Sequence, residues 1–153
     1  MKKTWDLLRL DVRAFAREGA TLTGHTTWAE LPRLQAEQIE GVSGPTSTAA
    51  QWCITGETKA LRGGAHQTWL RVQAQASLRL VCQRCLEPMD QLLQVDRPFR
   101  FVSSEQAAMD QDDESDEDLL VAQQAFDALV LIEDELLLAL PLVPRHPDCP
   151  TPA

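Results

Sequence analysis

The sequence predicts an α+β protein: an antiparallel sheet or partly closed barrel of about five to six strands with a C-terminal helix packed on it. Two patterns carry this prediction. From Leu70 to Leu80, apolar residues alternate strictly with polar ones, which is typical of a strand with one buried and one solvated face. Residues 128–140 are apolar at helical spacing, follow Asp127 as an N-cap and end before Pro141.

Near the N-terminus, the sequence predicts a short helix followed by a strand. Asp11 can cap the helix, and Gly19 can take the left-handed conformation that ends it. The stretch from Thr21 to Trp28 is rich in Thr and β-prone, and the following Leu31-Pro32 ends it. Residues 41–48 are predicted to form a loop from their composition.

Three strands are predicted in the middle of the chain, joined as an antiparallel meander. Trp52 and Ile54 indicate the first strand, and residues 70–80 form the second. Apolar and polar residues alternate again over 93–101, which indicates the third strand, and Pro98 places that strand at a sheet edge or at a bulge. Residues 119–125 are apolar enough to return to the sheet.

The length of 153 residues predicts one domain spanning residues 1–153. Residues 105–118 hold eight acids and no base, and they are predicted to be a disordered insertion because like charges repel and resist packing. Residues 1–103 carry 13 Lys/Arg against 10 Asp/Glu, whereas residues 104–153 carry one Arg against 13 acids. The net charge of −9 is therefore unevenly distributed: residues 1–103 are mildly basic, and residues 104–153 are strongly acidic.

Composition also excludes several classes of protein. No run of about 18 uncharged apolar residues is present, so a membrane span is not expected. The two lysines at the N-terminus are not followed by an apolar stretch, so a secretory signal is not supported. Four cysteines without export indicate a reducing cytosol, and a cytoplasmic location is expected.

Two separated motifs carry the clearest chemistry. Cys82 and Cys85 stand two residues apart at the end of a predicted strand, and His146 and Cys149 follow more than sixty residues later. Thiolates and imidazole suit Zn²⁺, and a CxxC pair at a hairpin end is typical of a zinc knuckle. Unliganded reduced thiols and thiol redox chemistry stay open as alternatives. Cys53 lies within a strand without a spaced partner and is predicted to be a small core side chain.

Three arginines are candidates for RNA binding. Arg71 and Arg79 are predicted to lie on the solvated face of one strand, and Arg84 lies in the cysteine turn, where basic groups can position phosphates. An ordinary solvated sheet face is the alternative. The overall charge of −9 favours action assisted by a protein over autonomous RNA binding.

The acidic run Glu133-Asp134-Glu135 lies within the predicted C-terminal helix. Adjacent helical residues point about 100° apart, so three in a row cannot converge on one metal ion. We expect a solvated helix face, with Glu133 available to an arginine at the edge of the core. Nothing near the histidines His25 and His66 suggests a catalytic triad.

The combination of these motifs resembles the YceD family, the large ribosomal RNA subunit accumulation proteins. Cys82-Gln83-Arg84-Cys85 carries the resemblance together with residues 131–146, Leu-Ile-Glu-Asp-Glu-Leu-Leu-Leu-Ala-Leu-Pro-Leu-Val-Pro-Arg-His, and then Cys149. It implies a non-enzymatic ribosome-biogenesis factor that supports synthesis, processing or stability of 23S rRNA. Its partner would be large-subunit rRNA, or a ribosomal protein or assembly intermediate, with no membrane and no small-molecule substrate. The alternatives are a CxxC thiol–disulfide redox protein and an acidic chaperone for a basic ribosomal protein.

Overall fold

The computed structural model describes residues 5–39, 48–61, 63–64, 66–102, 118–121 and 125–149. The strands are β1 Thr21–Thr27, β2 Thr48–Ala60, β3 His66–Val81, β4 Pro88–Val102 and β5 Asp118–Val121. The α-helices are α1 Val12–Arg17, α2 Pro32–Gln35 and α3 Ala128–Leu138, and 3₁₀ turns occupy Leu7–Arg9 and Trp28–Glu30. The α+β class, the strand number and the C-terminal helix confirm the prediction.

The five strands form one sheet in the order β1-β2-β3-β4-β5. The last pair is parallel: Phe99 lies opposite Asp118, and Val102 lies opposite Val121. The sheet was predicted to be antiparallel or a partly closed barrel. The sheet formed by the described residues is instead mixed, because its last pair is parallel, and it is open. Parallel neighbours need a crossover connection of a dozen or more residues, and residues 103–117 supply that length. Of the predicted acidic insertion, residues 105–117 lie outside the described residues, and Asp118 begins β5.

Strand β3 follows the alternation of the sequence. Its apolar positions are all buried: Leu70, Val72, Ala74, Ala76, Leu78 and Leu80. Pro98 falls within β4, which has a neighbouring strand on each side. The register with β5 begins only at Phe99, so Pro98 precedes the part of β4 that this short strand pairs.

The caps predicted for two helices are present. Asp11 Oδ1 accepts a hydrogen bond from the N–H of Ala14 at 3.1 Å, and Asp127 Oδ1 accepts one from the N–H of Val130 at 3.1 Å. Each carboxylate satisfies a backbone donor that has no partner within its helix. Gly19 has a φ of 59° just beyond α1, as expected for a left-handed helix end.

The chain divides into two compact units. The first unit comprises Met1–Thr23, Trp52–Gln73 and Asp96–Ile132. Its fully buried side chains include Leu10, Phe15, Ile54, Leu70 and Ile132. Within it, β2 lies close to α1, because a methyl group added at Gly56 would come within 2.7 Å of the α1 backbone.

The second unit comprises Gly24–Gln51, Ala74–Val95 and Glu133–Ala153. Its core includes Leu31, Leu34, Leu78, Leu93 and Leu136. The second unit also holds the candidate functional site. Across both units, the described helices include none that is long and apolar enough to cross a membrane.

Candidate metal centre

The turn between β3 and β4 holds the first two candidate ligands. Cys82 follows directly after β3, and Cys85 lies in the turn. The N–H of Leu86 donates to the carbonyl of Cys82 at 2.8 Å, and the N–H of Cys82 donates to the carbonyl of Glu87 at 2.9 Å. Leu86 has a φ of 65°, a left-handed conformation that is uncommon for a residue with a side chain. These features close a tight turn with both sulfurs at the hairpin end, as the sequence predicts.

The segment that follows α3 brings the other two ligands to this turn. The N–H of Gln83 donates to the carbonyl of Pro144 at 2.8 Å. Two residues later, the N–H of His146 donates to Cys82 Sγ at 3.4 Å. The C-terminal segment is thus attached to the hairpin by backbone hydrogen bonds as well as by its side chains.

Four ligand atoms converge, one each from Cys82, Cys85, His146 and Cys149, and all lie within 4.8 Å of one another. The two Sγ atoms of Cys82 and Cys149 are 3.6 Å apart, and Cys85 Sγ is 3.3 Å from His146 Nδ1. Tetrahedral zinc with ordinary Zn–S and Zn–N bonds places its ligand atoms roughly 3.5–3.8 Å apart. A disulfide would require a separation of about 2.05 Å. The Cys₃His donor set and these two separations therefore fit a tetrahedral zinc ion.

The imidazole of His146 is held by its other nitrogen. His146 Nε2 lies 3.2 Å from the carbonyl oxygen of Pro88. Because a carbonyl can only accept, this hydrogen bond places the ring proton on Nε2. In the neutral imidazole, Nδ1 then carries the lone pair, and Nδ1 is the nitrogen that faces Cys85 Sγ. Such support from a backbone carbonyl is typical of metal-binding histidines.

The thiols of Cys82 and Cys149 differ in acidity. Burial raises the pKa of Cys82, but hydrogen bonds from the backbone N–H groups of Cys85, His146 and Arg84, with the Cys85 side chain, lower it to about 5. Burial raises the pKa of Cys149, and its hydrogen bond with Cys82 raises it further. The lowered pKa of Cys82 favours its thiolate, the form in which cysteine binds metals.

Comparison with known proteins bears on the same part of the chain. The family model described as "Large ribosomal RNA subunit accumulation protein YceD" matches residues 70–153, more than half of the chain and all four clustered ligands. The chain belongs to the YceD family. No curated protein and no solved structure matches the chain. The family name links the chain to the accumulation of large-subunit ribosomal RNA.

The arginines proposed for RNA binding occupy different environments in this YceD chain. Arg71 is exposed on β3 and donates from Nε and Nη2 to the two carboxylate oxygens of Asp96, at 2.8 and 2.7 Å. Its hydrogen bond holds the pKa of Asp96 below the usual range. Arg79 donates from Nη1 to Asp90 Oδ1 at 3.0 Å. Arg84 is exposed in the turn between the two cysteines. Cys53 lies in β2 outside the four-residue cluster, and it is half-buried, so the prediction that it belongs to the core is wrong.

The acidic run Glu133-Asp134-Glu135 was expected to form a solvated face of the helix, and the structure differs from that expectation. Glu133 and Glu135 are buried, with 5% and 6% of their surface exposed. Glu133 Oε1 accepts from Arg33 Nε at 2.9 Å. Its Oε2 accepts from the backbone N–H groups of Arg33 at 3.0 Å and Leu34 at 3.2 Å. The expected contact between Glu133 and an arginine is thus present, but the prediction of a solvated face is wrong for Glu133 and Glu135.

Glu133 acts as the N-cap of another helix. Helix α2 begins at Pro32, and its N-cap position is Leu31, whose side chain cannot accept a hydrogen bond. The carboxylate of Glu133 satisfies the first free N–H groups of α2 from a distance of 100 residues along the chain. Asp134 adds an exposed ion pair to Arg33 Nη1 at 2.7 Å. Hydrogen bonds to Asp134 and Glu133 raise the pKa of Arg33.

Proposed function

We propose that this YceD protein is a non-enzymatic, cytoplasmic ribosome-biogenesis factor that supports synthesis, processing or stability of 23S rRNA. One observation carries the proposal: the Cys₃His group lies wholly within the residues that match the family. Zinc held by four protein ligands is the form used by structural sites, whereas catalytic zinc keeps an open position. The ligand set therefore supports a binding protein over an enzyme.

In this proposal, Cys82, Cys85, His146 and Cys149 hold one structural zinc ion. The ion would join the β3–β4 turn to the C-terminal segment. Because the ligands come together only in the folded chain, the free energy of zinc binding would add to the free energy of folding. The hydrogen bond from Gln83 to Pro144 supports this arrangement, since it positions the two segments independently of a metal.

The proposed partners are large-subunit rRNA, or a ribosomal protein or assembly intermediate, with no membrane and no small-molecule substrate. Two features support a protein partner. Arg71 and Arg79 each pair with a carboxylate on β4, which reduces the charge they offer to phosphates. The net charge of −9 also opposes close approach to RNA.

Metal content tests the zinc site. Protein purified without a tag is expected to carry close to one zinc per chain, measured by elemental analysis together with thiol titration. Cys85→Ser should abolish the bound zinc, because it removes one of four ligands. Cys53→Ser is the matched control and should retain it. Zinc-free protein in which all four thiols titrate while the chain is folded would contradict the site.

A deletion strain tests the biological role. Loss of the gene should lower 23S rRNA relative to 16S rRNA, measured by quantitative primer extension. The wild-type chain and Cys53→Ser should restore the ratio, and Cys85→Ser should not. An unchanged ratio in the deletion strain would overturn the proposed role while leaving the metal site intact.

A thiol–disulfide redox protein is the second candidate, favoured by the 3.6 Å separation of the Cys82 and Cys149 sulfurs and the low pKa of Cys82. Strand β4 follows the CxxC motif, however, where thioredoxin-like sites have a helix. Insulin reduction by dithiothreitol with and without the protein separates the two functions. Zinc-loaded protein should not accelerate it, and acceleration lost in Cys82→Ser would favour the redox role.

A further inference from the structure

The sulfur atoms of Cys82 and Cys149 lie in contact with each other. The two Sγ atoms are 3.6 Å apart, although the residues are 67 positions apart along the chain. Because the S–S bond of a disulfide measures about 2.05 Å, the two sulfurs need to approach by only about 1.5 Å to bond. Rotation about the Cα–Cβ bonds of the two side chains supplies a movement of this size. The two thiols are therefore placed for disulfide formation.

The two sulfurs differ in their access to solvent. Cys82 is fully buried at the end of β3, whereas Cys149 is half-buried. A small oxidant from solvent therefore reaches Cys149 before it reaches Cys82. Redox-sensitive cysteines are typically accessible and lie beside a second cysteine that reacts with the oxidised sulfur. Cys149 and Cys82 match these two roles.

The third cysteine of the cluster, Cys85, has different surroundings. Its Sγ lies 3.3 Å from His146 Nδ1. Cys85 also shares a tight turn with Cys82, in which the N–H of Leu86 donates to the carbonyl of Cys82 at 2.8 Å. A disulfide within this turn has to fit a backbone that is already closed, and poor disulfide geometry stores strain. Cys149 approaches from a separate segment, so its side chain moves without deforming the turn.

Backbone hydrogen bonds hold the C-terminal segment beside the turn without help from a metal. The N–H of Gln83 donates to the carbonyl of Pro144 at 2.8 Å. The N–H of His146 donates to Cys82 Sγ at 3.4 Å. The approach of Cys149 to Cys82 therefore does not depend on zinc.

We propose that Cys82 and Cys149 are a redox-sensitive pair, which hydrogen peroxide oxidises to a reversible disulfide that empties the zinc site. The disulfide follows from the contact between the two sulfurs, and its effect on zinc rests on the proposed metal site. Oxidation would leave only Cys85 and His146 of the four ligands, too few for a structural zinc ion. Disulfides in cytosolic proteins are usually transient and catalytic or redox-sensing.

The reaction consumes one hydrogen peroxide and two thiolates. Cysteines that coordinate zinc are already deprotonated. The Cys149 thiolate attacks one peroxide oxygen and breaks the O–O bond, which gives a sulfenic acid and releases hydroxide. The Cys82 thiolate then attacks the oxidised sulfur, forms the S–S bond and displaces a second hydroxide. The two sulfurs lose two electrons in total, and peroxide gains them. Thiol–disulfide exchange with an external dithiol reverses the reaction.

Treatment of the purified protein with hydrogen peroxide tests the pair. Released zinc is measured with the dye 4-(2-pyridylazo)resorcinol, and disulfides are identified by mass spectrometry of peptides prepared without reductant. We expect one zinc ion to be released for each Cys82–Cys149 disulfide that forms. Dithiothreitol should then restore both thiols and the capacity to bind zinc. Cys53→Ser keeps all four ligands, so it is the matched control and should behave as the wild type does.

The variant Cys85→Ser separates the disulfide from the metal. It lacks one zinc ligand but retains Cys82 and Cys149, so peroxide should still join them. Its Tm should rise on oxidation, because a bond between residues 67 positions apart constrains the unfolded chain. The double variant Cys85→Ser/Cys149→Ser has no partner for Cys82 within the cluster and should show no such rise. An equal rise in both variants would refute the pair.

Other products of oxidation would also overturn the proposal. A Cys82–Cys85 disulfide as the main product, chains cross-linked through Cys53, or a sulfinic acid at Cys149 without a disulfide would each refute the pair. Zinc that stays bound after the disulfide forms would refute its effect on the metal site. If the protein binds zinc but peroxide forms no disulfide, the metal site stands and the redox pair falls. If it holds no zinc but peroxide joins Cys82 to Cys149, the metal site falls and the disulfide stands.

Discussion

Replacement of Glu133 tests the cap that joins α3 to α2. The Glu133 carboxylate accepts three hydrogen bonds, two from backbone N–H groups of α2 and one from the Arg33 guanidinium. Glu133→Ala would remove all three acceptors at once. The N–H of Leu34 would then lack a partner at a residue with no exposed surface.

The magnitude follows from these contacts. Loss of a helix N-cap costs about 1 kcal/mol. A buried donor left without a partner adds about 1–3 kcal/mol. The two costs overlap, so we expect Glu133→Ala to lower the free energy of unfolding by about 3 kcal/mol. For a chain of 153 residues, this corresponds to a fall in Tm of about 6–12 °C. Glu133→Gln keeps one acceptor oxygen and should cost less.

Thermal unfolding followed by circular dichroism checks the expectation. Asp134→Asn is the matched control, because it changes the next residue and an ion pair to the same Arg33. Its side chain is 44% exposed, so the loss should stay below about 1 kcal/mol. If Glu133→Ala were no more destabilising than Asp134→Asn, the carboxylate would not be the cap of α2, and its burial would need another cause.

Three further predictions test the sheet. Leu78→Asp buries an unpaired charge on β3 and should cost more than about 3 kcal/mol in urea unfolding, whereas Gln75→Asp on the solvated side should cost about 0.5 kcal/mol or less; equal costs would refute the strand register. Gly56→Ala should cost at least about 2 kcal/mol, because its methyl meets the backbone of α1, and a neutral result would contradict that close approach. The lowered pKa of Asp96 stabilises the fold at and above the unfolded pKa of about 3.9, and this stabilisation is lost as pH falls through the lower folded value. Asp96→Asn should therefore flatten the decline of Tm in acid; an unchanged acid limb would show that the pair with Arg71 does not stabilise the fold.

The elements that the sequence predicts well depend on nearby residues. The apolar and polar residues of β3 alternate because successive side chains of one strand point to opposite faces. Asp11 and Asp127 cap helices that begin at the next residue. The spacing of the cysteines likewise predicts a hairpin with both sulfurs at its end. The zinc hypothesis requires His146 and Cys149 to lie close to them, and the four ligand atoms do lie within 4.8 Å of one another. Whether zinc binds there stays a prediction.

Contacts between distant residues account for what the sequence does not predict. An acidic helix residue is ordinarily solvated, and only its partner 100 residues away explains why Glu133 is buried. One local signal does exist, since Leu31-Pro32 begins a helix without a capping side chain and so requires an acceptor from elsewhere. The parallel direction of β5 has no such signal, because a short apolar run is compatible with either direction.

The parallel direction of β5 sets a minimum length for the acidic connection. Because Phe99 lies opposite Asp118, the chain must return from Val102 along three residues of β4, roughly 10 Å, before β5 begins. Two residues cannot span that distance and reverse direction twice. Shortening the connection to a hairpin loop would therefore force β5 either to leave the sheet or to pair antiparallel. The number of residues between β4 and β5 is therefore constrained by the topology of the sheet.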